Sequence, residues 1–324
     1  MLSNTPQDQK SKETSQFVQE GYAFVMNLRS LGTAPSYILA PGHELKRATS
    51  AQIAEIKKTL MAINPSAGFP PFHLWEQQLP LGQGASVFLN DESAWRYFVI
   101  NYSGTNQVVG DLQVVFDLVP LELEIGFTLV KTGQGYGCIW TPARTFHVLG
   151  SATFNYSFLV ELSPDDADTI GDLYTQYVRF DHKLVNVKRL ALQLGDTKAL
   201  PHYSPLRFLG YFAILESLLT HPPKPSDPYA SITRQVKNKL ALLNNRWSRK
   251  LDYGPFGNAS ADSIWTKMYW YRSRLAHGGS ADMTGDLALL KDHETALTLL
   301  KAAVRAIIRQ ALSEPQLLLD LKEC

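Results

Sequence analysis

The chain is poor in cysteine, with Cys138 and Cys324 its only thiols among 324 residues. Two thiols cannot form a disulfide framework or complete a cysteine zinc site. A long apolar run is also missing. The longest stretch, "VVFDLVPLELEIGFTLV", is broken by Asp117, Pro120, Glu122 and Glu124. It falls short of the roughly 20 apolar residues that a bilayer span needs. The opening "MLSNTPQDQKSKETSQ" has no hydrophobic core of the kind a secretory signal carries. The 8 histidines show no paired ligand spacing, so neither a metal nor a cofactor is expected. These absences lead us to expect a cytoplasmic protein that does not engage the membrane. Its 45% hydrophobic residues suffice for ordinary cores.

Net charge is nearly absent too, at +1, but it is unevenly spread. From residue 200 on, 16 Lys and Arg face 11 Asp and Glu, a balance of +5. Residues 1–199 hold 15 against 19, a balance of −4. The densest basic segment is 231–274, where nine basic residues face only Asp252 and Asp262. Such a segment is the footprint of a polyanion partner or a merely solvated face. Within it, Arg234, Lys237, Lys239 and Lys267 are the candidate RNA contacts.

What is present sorts into a tail and two domains. Residues 1–16 are polar and read as a flexible tail. Over 17–180 element types mix. "ATSAQIAEIKKTLMAI" has helical spacing behind a Thr49 or Ser50 cap. "WRYFVINY" (95–102), "CIWTPARTFHVLG" (138–150) and "NYSFLVEL" (155–162) read as strands, and "PDDADTIGDLYTQYV" as a helix with an acidic first turn. "TGQGYG" lacks the Gly-Lys-Ser/Thr ending of a phosphate loop and reads as a turn. Over 183–315 strand signals vanish. Four helices are predicted: 204–221, 229–247, 260–277, and one long segment over 284–312. The expected fold is an α+β N-terminal domain followed by an all-α antiparallel bundle. On the last helix, Lys301, Arg305 and Arg309 read as a solvated face.

The third bundle helix ends in "WYRSRLAHGGS". At about 100° per residue, Ile264, Met268, Tyr271 and Leu275 form its core stripe. Arg272 lies on one flank; Lys267, Trp270, Arg274 and His277 lie on the other. Gly278-Gly279 supplies the left-handed C-cap. One reading is a histidine compensating the helix dipole beside two solvated arginines. The other is chemical. Cleaving a phosphodiester without metal needs a proton carrier near neutrality and a fixed cation for the phosphorane charge, the roles that histidine and arginine fill. RNA supplies its own nucleophile in the 2′-hydroxyl. By composition, Arg followed four to six residues later by His occurs about once per chain by chance, so context has to carry the assignment. Glu216, inside "FAILESLL", sits where a carboxylate needs a partner, with Arg272 or Arg274 as candidates. Trp265, Tyr269 and Trp270 suggest an aromatic dimer face.

"YRSRLAHGG" resembles the R-x4–6-H motif of the HEPN superfamily, and "LRFLGYFAILESLLTH" and "SITRQVKNKLALLNN" are similar to helices of its Apea-like branch, prokaryotic ribonuclease and defence domains. The resemblance covers roughly 185–312. It implies Arg272 and His277 as catalytic residues, with Ser273 in a place where many members carry Asn, Asp or His. It further implies a composite site between two protomers, a homodimer through the bundle, RNA as substrate, and a toxin or anti-phage role. The N-terminal domain would then meet a trigger or antitoxin. Arg274 and Glu216 are supporting residues on the wheel reading. The alternative is a non-catalytic member that binds RNA or a nucleotide, or serves as a dimerisation scaffold.

Overall fold

Alternation with period 2 builds the N-terminal sheet. The computed structural model describes residues 19–63, 77–78, 88–89, 96–140, 145, 159–181, 186–222, 231–279 and 282–323. In β1 (Gln19–Val25), Ala23 and Val25 join one apolar cluster, while Tyr22, Phe24 and the following Met26 join another on the opposite face. The same switch recurs in β7 (Phe98–Gly104), where Phe98 and Ile100 oppose Val99. The short strand β2 (Leu28–Ser30) lies outside the main sheet, pairing in parallel with β10 (Val160–Glu161). The other members of the main sheet are β3 (Ser36–Ala40), β4 (His43–Arg47), β8 (Ile125–Thr132) and β9 (Gly135–Ile139). Its order is β3-β4-β7-β1-β8-β9, antiparallel throughout. The two residues Gln77–Gln78 and Phe88–Leu89 form a separate small pair, β5 and β6.

Helices cover both faces. The helix α1 (Ser50–Ile63) buries Ile53, Ile56 and Leu60 against Phe24, Val99 and Phe127. On the other side lie α2 (Gln107–Leu118) and α3 (Pro164–Arg179). The acidic start of α3 is a capping box between Ser163 and Asp166, as the local sequence suggests. "TGQGYG" is the β8–β9 hairpin turn. Two strand expectations changed. Of 138–150, only Cys138 and Ile139 are strand, at the end of β9, and 141–144 with 146–150 lie outside the described residues. Of 155–162, the described residues carry strand at β10, and 155–158 lie outside the described residues.

The second half is helical: α4 (Val187–Thr197), α5 (Pro205–Leu219), α6 (Ile232–Arg246), α7 (Ala261–Ala276), α8 (His293–Ser313) and α9 (Pro315–Glu323). An N-terminal sheet region followed by helices is therefore the observed class. Ser204, Ser231, Ser260 and Asp292 each accept a backbone N–H as N-cap of α5, α6, α7 and α8. The long helix expected over 284–312 is shorter. Lys291 takes a left-handed φ of 64° after a single 3-10 turn, and Asp292 restarts the chain as a cap. The apolar seam Leu297, Leu300, Val304, Ile307 and Ala311 is buried as expected. α5 is central, touching α4, α6, α7, α8 and α9. Gly210 permits its approach to α4, because a Cβ there would lie 2.7 Å from Thr197 Cγ2. Among the described residues no helix is long and apolar enough to cross a membrane.

One apolar cluster runs from Ala23 and Ile100 through Leu112 and Ile170 to Leu215 and Ile307. A knot of buried charge stands where sheet and bundle meet. Lys198 Nζ lies 2.6 Å from Asp117 Oδ1, 2.7 Å from Glu124 Oε1 and 3.3 Å from Glu122 Oε2. From α8, Arg305 donates to Glu122 Oε1 and to the Asp117 carbonyl at 2.7 Å each. Lys301 also pairs with Glu122, and Arg309 donates to the Leu118 carbonyl. The stripe expected to be solvated is thus turned inward onto the 117–124 loop. Glu122 takes a left-handed φ of 51°, and Asn27 holds the loop by accepting from Glu124 N–H and donating to the Glu122 carbonyl.

Burial would raise the Glu122 carboxyl, but Lys198, Arg305 and Lys301 together hold it well below its ordinary value of 4.5. Lys301 is the weak cation of the knot: burial and neighbouring Arg305 pull it down to about 7, against the pull of Glu122. A depressed carboxyl contributes stability above its unfolded value, lost as pH falls through the folded one. Wild type is therefore expected to lose thermal stability progressively below pH 4.5, and Glu122→Gln to flatten that slope. Lys198→Met removes the cation that lies within 2.7 Å of two buried carboxylates and should cost about 3–5 kcal/mol in urea unfolding. A Lys198→Met protein as stable as wild type would show that the knot is dispensable.

Candidate functional site

The core stripe of α7 fixes which residues face outward. Ile264, Met268 and Tyr271 are buried and Leu275 is partly so. Buried Phe208 packs its ring 4.7 Å from Tyr271. With that face docked, the flanks point as the wheel indicates.

Arg272 leans toward α5. Its Nη2 lies 3.1 Å from Glu216 Oε2, with the two side chains 31% and 17% exposed. Its guanidinium carbon stands 5.9 Å from the centre of the Tyr269 ring, which meets Phe212 edge-on at 6.1 Å. A carboxylate and an aromatic therefore hold one arginine in one place. The second carboxylate oxygen, Glu216 Oε1, is buried without a hydrogen-bond partner.

On the opposite flank, Lys267 places its ammonium 4.2 Å from the centre of the Trp270 ring. Arg274 pairs with Asp286 Oδ2 at 2.7 Å. His277 caps the helix and is exposed. The cap is a Schellman motif: Gly279 N–H reaches the Arg274 carbonyl, Gly278 N–H the Leu275 carbonyl, and Gly278 takes φ 70°. Ser273 is partly buried, and its carbonyl accepts the His277 N–H.

Arg272 and Glu216 are thus brought together. Arg272 and His277 stand on different flanks of one helix, about 140° apart by helical geometry. Arg274 shares the His277 flank. The basic residues of α6 divide. Arg234 is exposed. Lys237 is tied to α7, 2.6 Å from Asp262 Oδ1 and 3.1 Å from Thr266 Oγ1. Lys239 is buried at 5% exposure, with Nζ directed to the Lys322 carbonyl of α9, so it does not belong to an RNA-facing surface. The aromatic face also needs correction. Trp265 is buried, its Nε1 donating to Tyr253 Oη at 3.0 Å, and Tyr269 packs on the core; Trp270 alone of the three is exposed.

Sequence reasoning missed a buried pair beneath the site. Tyr271 Oη lies 2.6 Å from His293 Nδ1, and His293 Nε2 is buried without a hydrogen-bond partner. Burial lowers the His293 pKa. Twenty-two positions separate the two residues, and nothing local to Tyr271 points to His293. A cavity of about 540 Å³ between α2, α4 and β8, lined by Gln113, Asp117, Phe127, Thr128 and Leu192 among others, was equally invisible. Among the described residues no group of three or more His, Cys, Asp or Glu is placed to hold a metal ion. Compared with protein-family models, curated proteins and solved structures, the chain matches none.

The division of α7 into core and flanks yields a sharp contrast. Trp265→Ala is expected to lose about 3–5 kcal/mol, as for a large buried side chain. His277→Ala is expected to stay within about 0.5 kcal/mol of wild type. Thermal melts of the two proteins check this, and equal melts would refute the placement of α7.

Proposed function

We propose that the chain is a metal-independent endoribonuclease of the HEPN type, with a site completed between two copies of the bundle. The observation that carries this reading is the pairing of Arg272 with Glu216 and Tyr269, while His277 remains exposed at the helix end. An arginine held by a carboxylate is preorganised for a phosphate, and a preorganised cation stabilises charge that develops in the transition state. His277 takes the proton from a 2′-hydroxyl, whose oxygen attacks phosphorus. The bond to the 5′-oxygen breaks, and the same imidazole returns a proton to that leaving oxygen. The products are a 2′,3′-cyclic phosphate and a free 5′-hydroxyl. Arg272 from one protomer and His277 from its partner can meet one phosphate across a twofold axis, which resolves their separation on a single helix. A toxin or anti-phage role fits this activity, with the N-terminal sheet region as the place where a trigger or antitoxin acts.

One observation favours the second reading, a non-catalytic module that binds RNA or a nucleotide or only dimerises. Both arginines already carry a carboxylate, Arg272 from Glu216 and Arg274 from Asp286.

Arg272→Ala and His277→Ala are each expected to abolish cleavage of total RNA, with chelator present, while remaining folded. Mixed and allowed to exchange subunits, the two inactive proteins should regain part of the activity, because each heterodimer holds one intact Arg272–His277 pair. Full activity in either single variant would sink the nuclease reading. Inactive singles that never complement would place the site within one chain.

A further inference from the structure

Trp270 has no part in the proton and phosphate chemistry, yet it is the one exposed tryptophan among the described residues, at 47%. Indoles are large and mostly buried, so one left in water beside a candidate site invites a ligand. We propose that Trp270 is a stacking platform for an unpaired RNA base; this rests on the reading of Arg272 and His277 as a phosphodiester site.

Three features point to a base rather than to another apolar group. Trp270, Arg274 and His277 follow one another at helical spacing on the same flank, with Trp270 about 10 Å along the axis from His277. Lys267 sets its ammonium over one face of the indole, 4.2 Å from the ring centre, so a base stacks on the opposite face or displaces that ammonium, and the cation is at hand for its phosphate. Asp286, the partner of Arg274, is 66% exposed, so a phosphate oxygen can take its place.

The same acidic loop decides how RNA must be held. Asp286 pairs with Arg274, and Asp282 also acts on it electrostatically, which offsets the positive charge of this flank. Electrostatic attraction alone is therefore weak here, and stacking has to contribute. Stacking accepts any base whose face is free, whereas paired bases in a duplex offer none.

The test is fluorescence anisotropy with a short labelled oligoadenylate. Full-length protein carrying His277→Ala keeps the probe intact. Adding Trp270→Ala should raise Kd at least about fivefold, the loss of one stacked base. Trp270→Phe should retain most of the affinity, and a duplex RNA of the same length should bind the Trp270→Ala protein as it binds the parent. An unchanged Kd for oligoadenylate in the Trp270→Ala protein overturns the platform and leaves the nuclease reading standing. So does a Trp270→Ala protein that loses its dimer in sedimentation while keeping its Kd, since Trp270 then belongs to a protomer contact. A parent protein that binds no oligoadenylate also overturns the platform. If Trp270→Ala loses binding but wild type never cleaves RNA, the platform stands and the nuclease reading falls.

Discussion

Placement of the bundle depends on the charge knot around Lys198. Three carboxylates, Asp117, Glu122 and Glu124, meet three cations, Lys198, Lys301 and Arg305, where most of these groups are removed from water. A buried ion pair adds little net stability against a well-packed apolar substitute, but losing one partner is severe. Its value here lies in geometry. Lys198 follows α4, Arg305 rises from α8, and both close on the same loop after α2. Bringing these six groups together ties α4, α8 and the chain after α2 to one another. The left-handed Glu122 and the two hydrogen bonds with Asn27, one donated and one accepted by its side chain, show how that loop is held.

That docking reaches the candidate site through α5. This helix packs between α4 and α8, the two elements that carry cations into the knot, and it presents Glu216 to α7. Each step is a rigid contact: a glycine-sized gap between α4 and α5, an aromatic stack of Phe208 on Tyr271, and an ion pair onto Arg272. The arginine is therefore positioned by the packed bundle, whereas His277 depends only on its own helix end. The proposed site thus combines one side chain fixed by the bundle with one that depends on its helix end.

Much of this was legible in the sequence, and the remainder fails for identifiable reasons. Local pattern gave the spans of α5, α6 and α7 but not the restart at Asp292, and the stripe Ile264, Met268 and Tyr271 fixed the orientation of α7. Gly278 announced the end of α7 because a left-handed residue is needed there. The strand β1 escaped because helices cover both faces of the sheet, so "YAFVM" is apolar throughout and shows no alternation. The helix α2 escaped because Asn106 makes no side-chain cap bond and the apolar run continues into β8. Lys198 meets partners 74 and 81 positions away, a pairing that no local pattern reveals. Lys301, Arg305 and Arg309 misled because a stripe of long cations looks the same whether it faces water or buried carboxylates.

The two flanks of α7 carry different kinds of constraint, which separates structure from chemistry on a single helix. On the Arg272 side the guanidinium is paired with Glu216 of α5, so a change there disturbs both packing and any phosphate it would hold. On the Trp270–His277 side, Lys267 rests on its own neighbour and Arg274 on an exposed loop carboxylate, contacts that water or a ligand can replace at little cost. Trp270, Arg274 and His277 line that flank at helical spacing, outside the core stripe, so substitutions there report on what the proposed ligand needs while the packed face of the helix is left untouched.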